Sequence, residues 1–312
     1  MSDEQKPIPV AAPHTPEWYA ARETSIGASE IAIAAGLSPY ATPLELYQRK
    51  KGLIGPLEDN DAMRLGRLLE PVVKAEYCHR SGAVLIDSNP PMYRHPTHIG
   101  IVATPDGIIS SAELLECKTT SWRMKSYWGD PESDQIPDQY LCQAQAQLAV
   151  MAADVCHVAC LFDGAVLKTY RVMRNDELIE MLIGSAVELL QRIADKRPPE
   201  PNWEHPSTPA LIRSMHQSID DTRIELSSDE VALWRRYEYL CDTIKELEAE
   251  REVCKAKVIH AIGENYAGLL GGGRMIRRKL IEKKPFTSTP KPYIDVRCVK
   301  ADGGPVVARG DS

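Results

Sequence analysis

Between positions 83 and 118 the chain breaks into five short runs rich in β-branched residues, at 83–87, 91–94, 99–104, 107–109 and 113–118. Each run is bounded by Gly, Pro, Ser or Asn and is too short to carry a helical stripe, so they read as consecutive strands of a meander. Helical spacing precedes them at 60–80, where Leu65, Leu68, Leu69, Val72, Val73 and Tyr77 line up, and returns at 134–152, entered past Pro137. Two further strands, 155–162 and 166–172, are joined by Asp163-Gly164, a hairpin signal. A long amphipathic helix at 176–196 follows, and Pro198-Pro199-Glu200-Pro201 closes the unit. The order is helix, strands, helix, two strands, helix. It predicts a mixed α/β core over 17–200, a central mixed sheet flanked by helices, of ordinary size for one domain.

The flanks read differently. Residues 1–16, with Pro7, Pro9 and Pro13, read as a flexible leader. Residues 201–226 read as a linker, and Ser227-Ser228-Asp229-Glu230 offers a capping box that opens a helical arm over 227–270. Trp234, Tyr237, Cys241, Ile244, Leu247, Val258 and Ile262 lie near one stripe of that arm, as in a helical hairpin or a coiled coil. A basic segment, 271–312, ends the chain.

Charge is unevenly divided. The net charge is −7, which by itself leans against a nucleic-acid partner. Residues 271–300, however, hold nine Lys/Arg and two acids, and residues 1–270 carry −13. No apolar run approaches the ~20 residues of a membrane span, and the N-terminus has no apolar signal core, so a cytoplasmic protein is expected. The eight cysteines include no C-x-x-C pair and read as free thiols rather than a zinc or cluster site.

The segment that carries chemistry is Thr104-Pro105-Asp106-Gly107, followed by Glu116-Cys117-Lys118. Period-2 alternation puts Glu116 and Lys118 on one face of a strand, with Asp106 at the end of the strand before it. Two carboxylates converging on one spot repel unless a divalent cation lies between them. A lysine beside that cation is placed to orient water or to stabilise charge on a phosphate. Such a group of side chains suits metal-assisted phosphodiester hydrolysis. The bland alternative is a pair of strand-end acids and a solvated lysine.

Three features point the same way. Glu70, in Gly66-Arg67-Leu68-Leu69-Glu70-Pro71, offers a third carboxylate or is a plain helix-surface acid. Gln143 and Gln147 share a helix face at i, i+4, where amides can touch water or phosphate, or simply flank a core helix. Arg22 and Ser29 bracket a helix start, which is an anion site or an ordinary cap.

The ordered motifs Arg22…Ser25-Ile26-Gly27-Ala28-Ser29-Glu30, Gly36-Leu37-Ser38-Pro39-Tyr40, Gly66-Arg67…Glu70-Pro71, Thr104-Pro105-Asp106-Gly107, Glu116-Cys117-Lys118 and Tyr140…Gln143…Gln145 resemble the YqaJ-type viral recombinases. These are relatives of phage lambda exonuclease within the PD-(D/E)XK nuclease superfamily. The resemblance covers about residues 17–197 and does not reach 200–312.

The resemblance implies a Mg²⁺-dependent exonuclease that digests one strand of linear duplex DNA, 5′ to 3′, in phage-type homologous recombination. Asp106, Glu116 and the Cys117 backbone carbonyl would ligate Mg²⁺, with Mn²⁺ as a substitute. Lys118 would position or activate the attacking water. Glu70 would support a second metal ion or the water, and Gln143 would contact the phosphate region. Arg22, Ser29 and Thr104, joined by Arg123, would hold the 5′-phosphate of a DNA end. Arg123 departs from the expected spacing. The implied partners are double-stranded DNA ends, a single-strand annealing protein, and further copies of the chain in a ring-shaped trimer. Two alternatives stay open: an endonuclease or junction-cleaving relative, and a catalytically silent DNA-binding or assembly module.

Overall fold

The computed structural model describes residues 6–55, 59–219 and 222–281. The chain divides into two compact units, Met1–His216 and Gln217–Ser312. Cys298 and the basic residues Lys283, Lys284, Lys291, Arg297 and Lys300 lie outside the described residues.

In the first unit, helix starts fall where a short polar side chain can cap exposed backbone N–H groups. Thr15 caps α1 (Pro16–Glu23), and Thr42 caps α3 (Pro43–Lys50) by accepting from Glu45 N at 3.2 Å. Asn60 caps α4 (Asp61–Ser81), which stops at Gly82 in the left-handed region, φ 72°. Between α1 and α3 lies the short α2 (Ile31–Ala34), entered through a 3₁₀ turn at Ala28–Glu30. Then come α5 (Asp138–Met151), α6 (Asp176–Ala194), capped by Asn175, and α7 (Thr208–Met215).

The strands form two four-stranded sheets. One sheet has the order β1 (Ile8–Ala11), β3 (Met92–Arg94), β4 (Ile101–Ala103), β2 (Ile26–Gly27). The other runs β5 (Gly107–Ser110), β6 (Glu113–Thr120), β7 (Val155–Phe162), β8 (Val166–Met173). β6 and β7 are parallel over all eight residues, so α5 is the crossover that parallel pairing requires. The β7–β8 hairpin turns through Asp163 and Gly164, both at positive φ (48° and 70°), as a tight hairpin turn demands. α5 is lined by buried small residues, Ala144, Ala146 and Ala149, and joins the main core with Leu148, Val158, Phe162, Tyr170 and Leu182. A second cluster, Val73, Tyr77, Leu115, Ala159, Leu161 and Leu167, seats α4 on the sheet.

In this unit four features depart from the sequence reading. The five runs do not form one meander: 91–94 and 99–104 join one sheet, and 107–109 and 113–118 the other. Residues 83–87 form no strand; Asp87 makes only an isolated bridge to Ile108. The leader contains a strand, β1, antiparallel to β3, stabilised by pairing over 80 residues away in sequence. The first unit also extends past Pro201 to include α7, where Thr208 is fully buried and donates to Asn202 O.

The second unit is built on α8 (Ser228–Ile262), one continuous helix of 35 residues rather than a helical hairpin. Its start is the expected capping box: Ser227 Oγ accepts from Glu230 N, and Ser227 N donates to Glu230 Oε2. Beyond it, β9 (Ala267–Gly271) and β10 (Arg274–Arg277) form a hairpin. Gly271, Gly272 and Gly273 carry it at φ 81°, 58° and 74°. Among the described residues no helix is long and apolar enough to cross a membrane.

Candidate active site

The site arises where the β5–β6 ladder stops. The last paired position is Gly107 opposite Leu115. One step on, Asp106 comes abreast of Glu116, and opposed residues of an antiparallel pair share a face. Asp106 supplies the next rung with its side chain, Oδ2 accepting from Cys117 N at 2.6 Å. Within a strand a residue's N–H and C=O point to the same side, so the Cys117 carbonyl also faces Asp106. The Cys117 side chain turns the other way, against the α4 cluster, and burial pushes its thiol well above the usual range. It is a packing residue.

Glu116 is almost fully buried, 4% exposed, and its carboxylate is fully engaged. Oε1 accepts from Lys118 Nζ and from Gln143 Nε2, each at 2.6 Å, and Oε2 accepts from Gln147 Nε2 at 2.6 Å. Lys118 Nζ also donates to Gln143 Oε1 at 2.9 Å and lies 4.9 Å from the centre of the Tyr140 ring. The helical spacing of Tyr140, Gln143 and Gln147 delivers all three to one face of α5, directly over β6. Burial opposes the Lys118 charge, but Glu116 and Asp106 outweigh it and hold the ammonium above its ordinary pKa. Lys118 is therefore a hydrogen-bond donor and a fixed positive charge in this arrangement.

Asp106 is pushed well above the usual carboxylate range, first by burial and then by the charges of Glu116 and Glu70. That crowding is what a divalent cation relieves. The donors beside it, two carboxylates and a backbone carbonyl, are all hard oxygens. They match Mg²⁺, which takes one or two carboxylates and completes its shell with water and phosphate. Glu70 is near enough for its charge to act on Asp106, but its carboxylate is paired with Lys74 at 2.7 Å. Among the described residues no group of three or more His, Cys, Asp or Glu side chains converges on one point, so Glu70 does not complete a three-carboxylate cluster.

Next to this centre is a small concavity lined by Arg22, Gly27, Ser29, Thr104, Gln143 and Gln147, among others. Arg22 Nη2 donates to Ser29 Oγ at 3.4 Å, lies 3.8 Å from Glu30 Oε1, and rests over the Trp18 ring. Trp18 Nε1 donates to Thr104 Oγ1 at 3.3 Å. Glu30 Oε2 in turn accepts from Gly27 N and from the nearly buried Lys50, whose Nζ also donates to the Arg22 carbonyl. Lys50, Glu30 and Trp18 thus brace Arg22 from three directions. Arg22, Ser29 and Thr104 come together, and Gln143 links them to Glu116. Arg123 does not join them: it is exposed on a 3₁₀ turn after β6, Trp122–Tyr127, and does not line the concavity.

The family model of the YqaJ-like viral recombinase domain matches residues 17–154. That span holds every one of the ordered motifs and all the residues of the centre and the concavity. The uncharacterized protein YqaJ of Bacillus subtilis (strain 168) is 27% identical over 280 residues, covering 88% of this chain and 86% of that one. A match of that length exceeds the first unit, so the YqaJ likeness runs into the second as well, further than the motifs reach. Among solved structures, an alkaline exonuclease (LHK-Exo) from Laribacter hongkongensis is 25% identical, with a TM-score of 0.48, over 59% of this chain and 94% of that one. A phage-related exonuclease from Haemophilus somnus 129PT is 14% identical, with a TM-score of 0.42, over 55% of this chain and 96% of that one.

Proposed function

We propose that this chain is a Mg²⁺-dependent DNA exonuclease that degrades one strand of linear duplex DNA, 5′ to 3′, in phage-type recombination. The observation that carries the reading is the continuity of Asp106, Glu116 and Lys118 with the Arg22–Ser29–Thr104 concavity through Gln143. The YqaJ-like domain match over the same residues supports it.

Asp106, Glu116 and the Cys117 carbonyl would hold Mg²⁺, and Glu70, once released from Lys74, would serve a second ion. Bound there, the ion would supply charge neutralisation at the attacked phosphate and make water a better nucleophile. Lys118, held protonated, donates to the water or to a non-bridging phosphate oxygen. Gln143 fixes the Lys118 and Glu116 side chains relative to each other. Arg22, Ser29 and Thr104 take the terminal 5′-phosphate, which places the next phosphodiester at the metal-binding edge and makes digestion start at an end. A single-strand annealing protein and a ring of three copies around the duplex complete the reading, following the family resemblance.

The test is end-labelled linear duplex against closed circular DNA, with and without Mg²⁺ and with and without a 5′-phosphate. Mg²⁺-dependent release of nucleotides from phosphorylated linear ends alone is the expected result. Cleavage of the closed circle at a comparable rate would replace the exonuclease by an endonuclease, and no cleavage of either would remove the enzyme reading.

A further inference from the structure

The surface that the nuclease reading leaves unused is the seam of α8. Leu233, Leu240, Leu247 and Cys254 repeat every seven residues, and Tyr237, Ile244, Arg251 and Val258 repeat with them, offset by four and three. These are the d and a positions of a heptad. Leu233, Leu240, Ile244 and Leu247 are 69%, 41%, 55% and 58% exposed, a contiguous apolar line rather than scattered surface leucines. A solitary helix in water has little to hold it, because most helical stability in proteins comes from packing one face.

We propose that α8 pairs with α8 of a second copy of this chain in a parallel, two-stranded coiled coil. Leu at three d positions with Ile244 and Val258 at a is the combination that favours two strands. The flanking charges fit the parallel, in-register pair, and the cross-link below decides the direction. In the parallel, in-register pair, Glu250 at g faces Lys255 at e of the second copy, and the symmetry makes this contact twice. In the antiparallel pair that sets Ile244 against Leu247, Arg236 meets Lys257 of the second copy, a like-charge contact. Arg251 is the one charged residue at an a position between Ile244 and Val258. In the in-register pair it shares a layer with Arg251 of the second copy, a like-charge contact that costs stability and is eased where the long side chains reach out to water. This pairing does not depend on the nuclease reading; beside a three-copy ring it would join copies that belong to different rings.

Two measurements on the full chain test it. The first is the mass by sedimentation equilibrium of the wild type and of Leu240→Glu/Leu247→Glu, whose exposed sites leave the first unit unperturbed. The charged variant should have a lower mass with unchanged helical content in the first unit. The second uses Cys254, an exposed free thiol at a d position. In a parallel pair the two Cys254 thiols share one layer. Oxidation by diamide should take two protons and two electrons from them and form one S–S bond between chains. In a Cys241→Ser chain this should give a covalent dimer that disappears in Cys241→Ser/Cys254→Ser and in the charged variant. Equal masses for wild type and charged variant would mean that the seam is covered from within its own chain, and would overturn the proposal. A mass difference without the Cys254 cross-link would overturn the parallel pairing. A cross-link that persists in the charged variant would overturn the seam as its cause.

Discussion

Gln147, fully buried on α5, donates its amide to Glu116 Oε2 at 2.6 Å, while its own Oε1 accepts from Cys156 Sγ–H at 3.8 Å. The Glu116 carboxylate is thereby locked on three sides and cannot rotate away from the Asp106 edge. Gln147 lines the floor of the concavity, but its amide N–H is spent on Glu116, and its work is to aim that carboxylate.

Removing that amide without removing its volume isolates the effect. Gln147→Leu leaves a buried carboxylate oxygen without a donor, at a cost of about 1–3 kcal/mol of stability. Loss of such an outer partner should lower activity or metal affinity about 10–100-fold. Thermal unfolding and a Mg²⁺ titration of nuclease activity check the two separately. Full activity at unchanged Mg²⁺ demand would show that Glu116 needs no brace.

Asp106 is crowded by Glu116 and Glu70 when no cation is present. Its folded-state pKa is raised, so the folded chain holds that proton more tightly than the unfolded chain does. Its contribution to stability is therefore lost as pH rises from the ordinary carboxylate range toward the raised folded value. Asp106→Asn removes the repulsion and keeps an acceptor for Cys117 N. The variant should melt a few degrees higher than wild type at neutral pH without divalent metal, and should hydrolyse no DNA. A lower melting temperature would sink this account of the site's electrostatics. Lys118→Ala should also be inactive.

Arg22 is a discriminator of chain ends in the proposed scheme. Arg22→Ala should reduce the rate on 5′-phosphorylated duplex about 10-fold or more, the worth of a charge-assisted hydrogen bond. It should leave the slower rate on 5′-hydroxyl ends nearly unchanged. Comparing initial rates on the two substrates checks this, and an equal loss on both would remove Arg22 from the phosphate site.

His95 predicts an acid sensitivity unrelated to the site. Its Nδ1 accepts from the backbone N–H groups of Thr97 and His98, which only a neutral ring nitrogen can do. Burial, then His98 and Arg174, depress its pKa from 6.5 to about 4. Because the unfolded chain takes up the proton first, stability falls as pH drops from 6.5 toward 4. His95→Gln should flatten that part of the stability–pH curve; an unchanged slope would assign it to other groups.

What could be read from sequence was local. The cap at Ser227, the Asp163-Gly164 turn and the period-2 placement of Glu116 and Lys118 each depend on neighbours a few residues away. What could not be read depends on distant partners. β1 contains Pro9 and has little strand character of its own; it exists because β3 pairs with it. The short apolar run at 83–87 looks like a strand, yet no ladder is available there beyond the single bridge at Asp87. The assignment of 91–104 and 107–118 to different sheets turns on the break at Pro105-Asp106, where the chain leaves β4 before it begins β5. Glu70 was visible as an acid near the site, but its partner, Lys74, one helical turn away, decides where its carboxylate rests. Gln147 carried a signal, its i, i+4 relation to Gln143, without indicating which carboxylate it would hold.

The β5–β6 hairpin also acts as a ruler. Asp106 and Glu116 meet because a tight turn after Ser110 and one bulge between Ile108 and Ser110 set how the two strands align. Each residue gained or lost in that turn flips every later side chain of β6 to the other face. Glu116 and Lys118 would then point at Val73 and Tyr77, and Cys117 at Gln143. The surface turn at Ser111 and Ala112, which touches no substrate, should therefore be among the places in the chain least tolerant of a length change.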